Sequence, residues 1–349
     1  MSDKRIRVES DGSGGFIGWI EDGFAAGEAL GIILVIIAIL ALGWVYLLYK
    51  LITTKVGRII LVVLIICGII VSLVLDAQFE RERELNRYNL ERILLDDGTY
   101  EICGMGKYED KENLVIPSEY DGIPVTSIGD DAFEYYGSVI KSVTIPNSVT
   151  RIGDRAFKDC EVLESVVISN SVTSIGESAF KNCNSLTSIV IPNSVKSIGD
   201  SAFEACGSLT NIVIPDSVAS IGDSVFMWCH SLTSVTLPDN MKTIPLQMFY
   251  NCTSLKNVTI PNCVTSIERG AFAFCKSLTS VPIPKSVNYI GKLAFAHINS
   301  KLTFNYLGTK NQWEAIEKVN TWSTIDGILN WDYATYDYIV SCTNGTISK

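Results

Sequence analysis

Histidine is nearly absent from this chain of 349 residues, which contains only His230 and His297. No glycine-rich phosphate loop, HExxH motif or GxSxG motif is present, so common signatures of nucleotide-binding enzymes, metalloproteases and serine hydrolases are missing. His230 directly follows Cys229, but adjacent side chains in a turn generally point in different directions. We therefore expect neither catalysis nor a cofactor.

Positive charge is also scarce in this sequence. The chain has 28 lysine and arginine residues against 38 aspartate and glutamate residues, which gives a formal net charge of −10. The basic residues form no stripe along the C-terminal two thirds of the chain, so the electrostatic footprint of a nucleic-acid-binding surface is missing. We expect no nucleic-acid partner.

The most informative feature that is present is a phenylalanine that recurs at a nearly constant interval. The first interval is 24 residues and the next six are 23 residues, for Phe133, Phe157, Phe180, Phe203, Phe226, Phe249, Phe272 and Phe295. A fixed period of this length indicates one supersecondary unit stacked on copies of itself, because a single unit cannot bury its own apolar side. The sequence therefore predicts a repeat solenoid, whose long, shallow face suits a partner better than an enclosed small substrate.

Each repeat is predicted to contain two short strands and a tight helical turn. In one unit, three apolar residues have the spacing of inward positions on a strand: Leu186, Ile189 and Ile191. Pro192 ends this strand because proline lacks the backbone N–H, and Ile198 marks a second strand before a bend at Gly199. The following turn directs Phe203 into the core. Stacking then places equivalent strands about 4.8 Å apart in parallel sheets.

Six cysteines each lie three residues after a repeat phenylalanine: Cys160, Cys183, Cys206, Cys229, Cys252 and Cys275. No C-x-x-C pair occurs, and stacking would arrange the sulfur atoms in a line rather than a metal-binding tetrahedron. Identical side chains on parallel coils do not point at each other, which disfavours disulfides. Burial of free thiols is the favoured interpretation, with some disulfides as the alternative.

The pattern IPxSVxxIGxxAFxxCxxL, present for example at residues 191–209, resembles the BspA-type leucine-rich repeat, also called the Treponema pallidum type. The lead-in at residues 116–125 and the C-terminal segment around Trp313 and Trp322 are similar to segments that open and close such arrays. The resemblance covers residues 93–349. It implies a surface protein that mediates adhesion or recognises extracellular proteins or host matrix.

Three positions depart from this repeat pattern. Ser169 replaces the proline after Ile168, while Pro245 and Glu268 replace the glycine after the isoleucine of the second strand. The bends at these positions must be made differently, so we expect changes of local shape but not of fold.

Two apolar runs precede the repeats. Residues 30–49 contain no charged side chain over 20 positions, and residues 59–75 contain none over 17. Because about 20 apolar residues span a bilayer, we interpret both runs as transmembrane helices of a hairpin at residues 30–75. A signal peptide followed by a buried helix is the alternative.

The hairpin divides the N-terminal part of the chain. A tail (1–29) precedes it, and a charged juxtamembrane stalk (76–92) is predicted to extend its second helix. Three lysine and arginine residues in the connector against four after the second helix leave the membrane orientation undecided. The family resemblance favours an array outside the cytoplasm, so the predicted localisation is the cell membrane with an extracytoplasmic array.

The candidate binding surface is the outward side of the first strand in each coil. Its side chains are small or β-branched and uncharged, at Ser165, Val167, Ser188, Val190, Asn211, Val213, Ser234, Thr236, Asn257 and Thr259. Such ladders form a flat surface suited to protein or glycan contact. The alternative is that these residues are there only because they favour strands.

The predicted fold is a repeat solenoid of leucine-rich repeats, with short parallel strands and tight helical turns, preceded by two transmembrane α-helices. The array with its lead-in occupies residues 93–303, and a closing module occupies residues 304–349. The predicted function is adhesion or recognition of an extracellular protein or glycan. The alternatives are a scaffold that faces the cytoplasm at the membrane and a sensor that relays binding through the hairpin.

Overall fold

The computed structural model describes residues 6–8, 66–76, 89–106, 112–298, 302–319 and 339–348. The chain forms two compact units, one made of Met1–Val8 with Tyr88–Lys349 and the other of Glu9–Arg87. The first unit contains the repeats and all the strands given below. The second contains one described helix, α1, at residues 66–76.

An antiparallel group of strands opens the repeat unit: β1 (Ile6–Val8), β2 (Glu91–Leu94) and β3 (Tyr100–Gly104). The Arg92 guanidinium carbon of β2 lies 4.0 Å from the centroid of the Tyr120 ring, a cation–π contact. The predicted helical stalk is therefore wrong at its C-terminal end, because backbone pairing places Glu91–Leu94 in a sheet.

The first strands of the coils, here called the front strands, run parallel and in register with their paired neighbours. They are β4 (Asn113–Val115), β7 (Ser142–Thr144), β9 (Ser165–Val167), β12 (Asn211–Val213), β14 (Ser234–Thr236), β16 (Asn257–Val258), β18 (Ser280–Ile283) and β20 (Thr303–Tyr306). In their three-residue strands the middle side chain points into the core and its two neighbours point outward, as alternation along a strand requires.

The second strands, here called the back strands, are shorter and also parallel. They are β6 (Ile123–Ile128), which also pairs with β5 (Glu119–Tyr120), then β8 (Arg151–Ile152), β10 (Ser174–Ile175), β11 (Ser197–Ile198), β13 (Ser220–Ile221), β15 (Thr243–Ile244), β17 (Ser266–Ile267), β19 (Tyr289–Ile290) and β21 (Glu317–Lys318). Strand β3 joins β6 in parallel, so the antiparallel group covers the first coil.

The C-terminal module continues both strand sets. Strand β20 extends the front strands and β21 the back strands, while α2 (Lys310–Glu314) lies between them. Thr309 and Gln312 form a reciprocal capping box at the start of α2. Strands β22 (Ile339–Cys342) and β23 (Gly345–Ser348) form an antiparallel hairpin, and β22 pairs with β20 to close the array.

The core follows the repeat. The eight repeat phenylalanines are fully buried, and consecutive rings are stacked with centroids 5.1 Å apart at Phe133–Phe157 and 5.8 Å apart at Phe226–Phe249. The column ends where Phe304 meets Phe295 edge to face, with centroids 4.9 Å apart. The predicted solenoid with an internal phenylalanine column is confirmed. A short 3₁₀ turn, Glu134–Tyr136, occupies the turn of the first coil.

Glycine at the bend after a back strand is required by the packing of successive coils. A Cβ atom added to Gly176 would lie 2.5 Å from the carbonyl carbon of Gly153, and one added to Gly199 would lie 2.5 Å from the backbone nitrogen of Glu177. Both distances are far below van der Waals contact. The Ile-Gly pair of the repeat therefore sets how closely the coils approach at this bend.

The predicted transmembrane hairpin does not appear among the described residues. Its first helix (30–49) and residues 59–65 of its second lie outside them. Helix α1 has 11 residues, a length of about 16 Å against the ~30 Å of a bilayer's hydrocarbon core. No helix in the described ranges combines the length and the apolar character needed to cross a membrane, and this finding contradicts the predicted localisation in the cell membrane.

Candidate binding face

The ten side chains predicted to form the binding surface all point away from the core, and we call them the front face. Nine are exposed and one, Ser234, is half-buried. The valines are the most informative, because their exposed fractions are 60% for Val167, 78% for Val190 and 60% for Val213. The predicted outward orientation is confirmed.

Hydrogen bonds between neighbouring coils order the polar part of this face. Ser234 Oγ donates to Asn211 Oδ1 over 3.0 Å, and Thr233 Oγ1 donates to the same oxygen over 3.3 Å. The strand register aligns Asn211, Ser234 and Asn257 in one row, and Val213 with Thr236 in a parallel row. The rows run along the solenoid axis and present equivalent groups coil after coil.

The front strands are interrupted, which corrects the prediction of two strands in every coil. Residues 187–191 form no strand, so β9 and β12 belong to separate sheets, and β16 and β18 are also separate. The Ile145 amide donates to the Val167 carbonyl of the next coil over 2.9 Å. The Ile214 amide donates to the Thr236 carbonyl of the next coil over 3.0 Å. The front strands therefore form three short sheets rather than one.

Sequence reasoning missed part of the surface. Ser142 and Thr144 of β7 occupy the same register one coil earlier, and Ser142 Oγ donates to Asn113 Oδ1 over 2.9 Å. The sequence contained the signal for this, because Ile145-Pro146 follows residues 142–144 as Ile191-Pro192 follows residues 188–190.

Comparisons with known proteins agree with this architecture. A family model described as a BspA type leucine rich repeat region matches residues 126–212 and 196–316, which together exceed half of the chain. This chain belongs to the BspA-type leucine-rich repeat family. No match was found among curated proteins.

Two solved structures are similar to this BspA-type chain. A leucine-rich repeat protein of Treponema pallidum is 33% identical with a TM-score of 0.52, and the match covers 54% of this chain and 87% of that one. A leucine-rich repeat protein of Bacteroides ovatus is 30% identical with a TM-score of 0.56, and the match covers 64% of this chain and 63% of that one.

The cysteine column of the BspA-type repeats is structural. The six cysteines are buried and free, and each thiol donates to the carbonyl of the phenylalanine in the preceding coil, as Cys229 does to Phe203 over 3.1 Å. Burial raises the pKa of the Cys160 and Cys206 thiols to about 12. Because the thiolate is the reactive form, these residues are poor nucleophiles and ligands. The prediction of buried free thiols is confirmed.

The two histidines lie in separate coils. His230 is exposed and its Nδ1 lies 3.2 Å from the Asn251 carbonyl oxygen, whereas the Cys229 thiol beside it points into the core. The two side chains diverge as expected. In the part of the chain that the structure describes, no group of three or more histidine, cysteine, aspartate or glutamate residues could hold a metal ion.

A groove of about 360 Å³ lies on the back side of the array, near Ile221 and Pro245. In other coils the amide after the back-strand isoleucine donates to the preceding coil, as Gly222 does to Ile198 and Glu268 to Ile244, over 2.9 Å each. Pro245 has no N–H to donate to Ile221. Strands β13 and β15 accordingly do not pair with each other, so the departure seen in the sequence opens the sheet locally and leaves the fold intact.

Proposed function

We propose that this BspA-type array is a non-enzymatic recognition module that binds a protein or glycan partner, in an adhesive role, through its front face. The observation that carries the proposal is the row of exposed valines at positions 167, 190 and 213. A partner that covers this row of valines removes apolar surface from water, which favours binding by about 25 cal/mol per Å². The adjacent serine, threonine and asparagine row supplies hydrogen bonds.

Absence of charge on the front face supports the same role. None of its ten residues carries a formal charge, and ionic side chains such as Lys141 and Glu112 pair beside it rather than on it, at 2.9 Å. The cores of recognition interfaces are depleted in charged residues. The partner is therefore expected to meet the face with neutral polar and apolar groups, over several coils rather than in one pocket.

A charge introduced on the front face tests the proposal. We expect the double variant Val190→Glu and Val213→Glu to abolish binding to a partner obtained from a screen of glycans and matrix proteins. The free energy of unfolding should change by less than about 1 kcal/mol, because both side chains are exposed.

The matched control is Asn170→Glu with Asn193→Glu, which adds the same charge to two neighbouring coils on exposed turns beyond the front strands. This control should bind like the unmodified protein. If the front-face variant also binds like the unmodified protein, the front face is not the binding surface.

A further inference from the structure

In the coils from Phe157 to Phe295, one turn position has a left-handed backbone regardless of its side chain. It lies two residues after the repeat phenylalanine, with φ between 53° and 63°, at Asp159, Asn182, Ala205, Trp228, Asn251, Phe274 and His297. The backbone role is also constant, since the amides of Ala205, Trp228 and Asn251 all donate to the next coil over 2.7–2.8 Å. The repeat therefore fixes this turn without help from the side chain.

The residue types at this position change along the array. Aspartate and asparagine tolerate the left-handed region best, whereas bulky side chains adopt it at a cost in free energy. The early coils carry Asp159, Asn182 and Ala205, but later coils carry Trp228 and Phe274. Because the early coils make the same turn without a ring, the aromatic side chains are not needed to build it. Strained residues kept at a surface point to function.

Aromatic side chains at this position, together with Tyr250 at the position before Asn251, lie on four consecutive coils. We call Trp228, Tyr250, Phe274 and His297 the aromatic strip. Phe274 and His297 stack in parallel with centroids 4.2 Å apart, and Tyr250 is tilted against Phe274 with centroids 5.1 Å apart. Trp228 begins the strip and is 44% exposed. The other three side chains are half-buried, so the strip crosses four coils with Trp228 as its most exposed member.

The chemistry of the strip is aromatic and uncharged. Asn251 belongs to the coil between those of Trp228 and Phe274. The exposed His230 side chain contacts the backbone carbonyl oxygen of Asn251. Desolvation, followed by the nearby Lys276 charge, lowers the pKa of His297, which favours its neutral form. Lys276 is a cation beside the strip, but the strip itself carries no formal charge and the chain has a net charge of −10, which disfavours an anionic ligand. A neutral ligand with apolar faces and hydroxyl groups fits both the rings and the amide.

We propose that the aromatic strip binds a neutral oligosaccharide, with one sugar ring lying against the exposed Trp228 indole, further sugars along the edges of the half-buried Tyr250 and Phe274 rings, and hydroxyl groups bonded to Asn251 and His230. The C–H face of a sugar ring is apolar and its rim is polar, as are these side chains. Successive coils offer a contact at each step along an extended sugar chain. This site is separate from the front face and does not rest on the function proposed for it.

The test uses the full-length chain and a panel of neutral hexasaccharides of glucose, N-acetylglucosamine, mannose, galactose and xylose, with gelatin as a protein probe. The variant is Trp228→Asn with Phe274→Asn, because asparagine occupies the same register at Asn182 and Asn251. We expect at least about tenfold weaker binding to a hexasaccharide that the unmodified protein binds. The thermal stability of Trp228→Asn alone should be equal or higher, since Trp228 is exposed and asparagine suits the left-handed backbone better.

Ala205→Asn is the matched control, because it makes the same change in the same register without removing a ring. It should leave hexasaccharide binding unchanged. Trp228→Asn alone repeats the test if the double variant folds poorly. The proposal is overturned if no hexasaccharide binds, if the ring variants bind as well as the unmodified protein, or if only gelatin depends on the strip. Lower thermal stability of Trp228→Asn would also overturn it, because the ring would then serve packing.

Discussion

The phenylalanine column and the back strands run through the same coils, yet only the column is continuous. Rings stack without a break from Phe133 to Phe295, with adjacent centroids at most 5.8 Å apart. The back strands stop pairing between Ile221 and Thr243, beside Pro245. Ring spacing is at its widest, 5.8 Å, on both sides of Phe226, so the column stretches where the sheet opens but does not break.

The difference follows from the size of the two contributions. One backbone hydrogen bond contributes about 1 kcal/mol net to stability, whereas a buried phenylalanine contributes about 3–5 kcal/mol. A coil can therefore lose its back-strand pairing and remain in the stack. Loss of its phenylalanine ring would lower the stability of the array several times more. Sequence departures are accordingly tolerated at the bends and not within the column.

The largest expected effect comes from breaking the column itself. Phe203→Ala should lower the free energy of unfolding by about 3–5 kcal/mol, because it leaves a cavity between the fully buried rings of Phe180 and Phe226. Urea denaturation measures the change. Val213→Ala, at an exposed position on front strand β12, serves as control and should change stability by no more than about 0.5 kcal/mol. A loss below about 1 kcal/mol for Phe203→Ala would contradict the account.

A smaller effect is expected from crowding the bend. Gly199→Ala should cost about 1–3 kcal/mol, because the added Cβ would lie 2.5 Å from the Glu177 backbone nitrogen. Gly207→Ala is the control, since a Cβ there would meet only Asn184, with Oδ1 at 3.6 Å. Thermal unfolding of both variants makes the comparison. Equal stability of the two would mean that the bend glycine is not required by coil packing.

Much of the fold could be predicted from the spacing of apolar residues. The interval of 23 residues places Phe203 and its equivalents inside, and the alternation along a short strand places Val167 and Val213 outside. The first assignment depends on the spacing between coils and the second on alternation within a strand, and both can be seen directly in the sequence. Pro245 was also recognised as a departure, because a missing N–H is a property of the residue itself.

Other features depend on contacts between distant segments. The charge pattern near Arg92 suits a helix, but pairing of Glu91–Leu94 with Tyr100–Gly104 makes it a strand. Residues 187–191 have the apolar pattern of a front strand and do not form one. The aromatic strip escaped notice because Trp228, Tyr250, Phe274 and His297 share no sequence pattern apart from their places in successive coils. Hydropathy alone predicted a membrane localisation that the described helix is too short to support.

Amide hydrogen exchange on the full-length chain tests most directly whether the column continues where the back strands separate. The Lys196 and Thr265 amides donate to the preceding coil over 2.7 and 2.8 Å, whereas the corresponding bond from Lys242 to Ala219 is not formed in the described chain. We predict that the Lys242 amide exchanges at least about tenfold faster than those two, while the Phe249 amide in the same coil, which donates to Ala271 over 2.8 Å, stays protected. Equal protection of Lys242, or equally fast exchange at Phe249, would contradict the account.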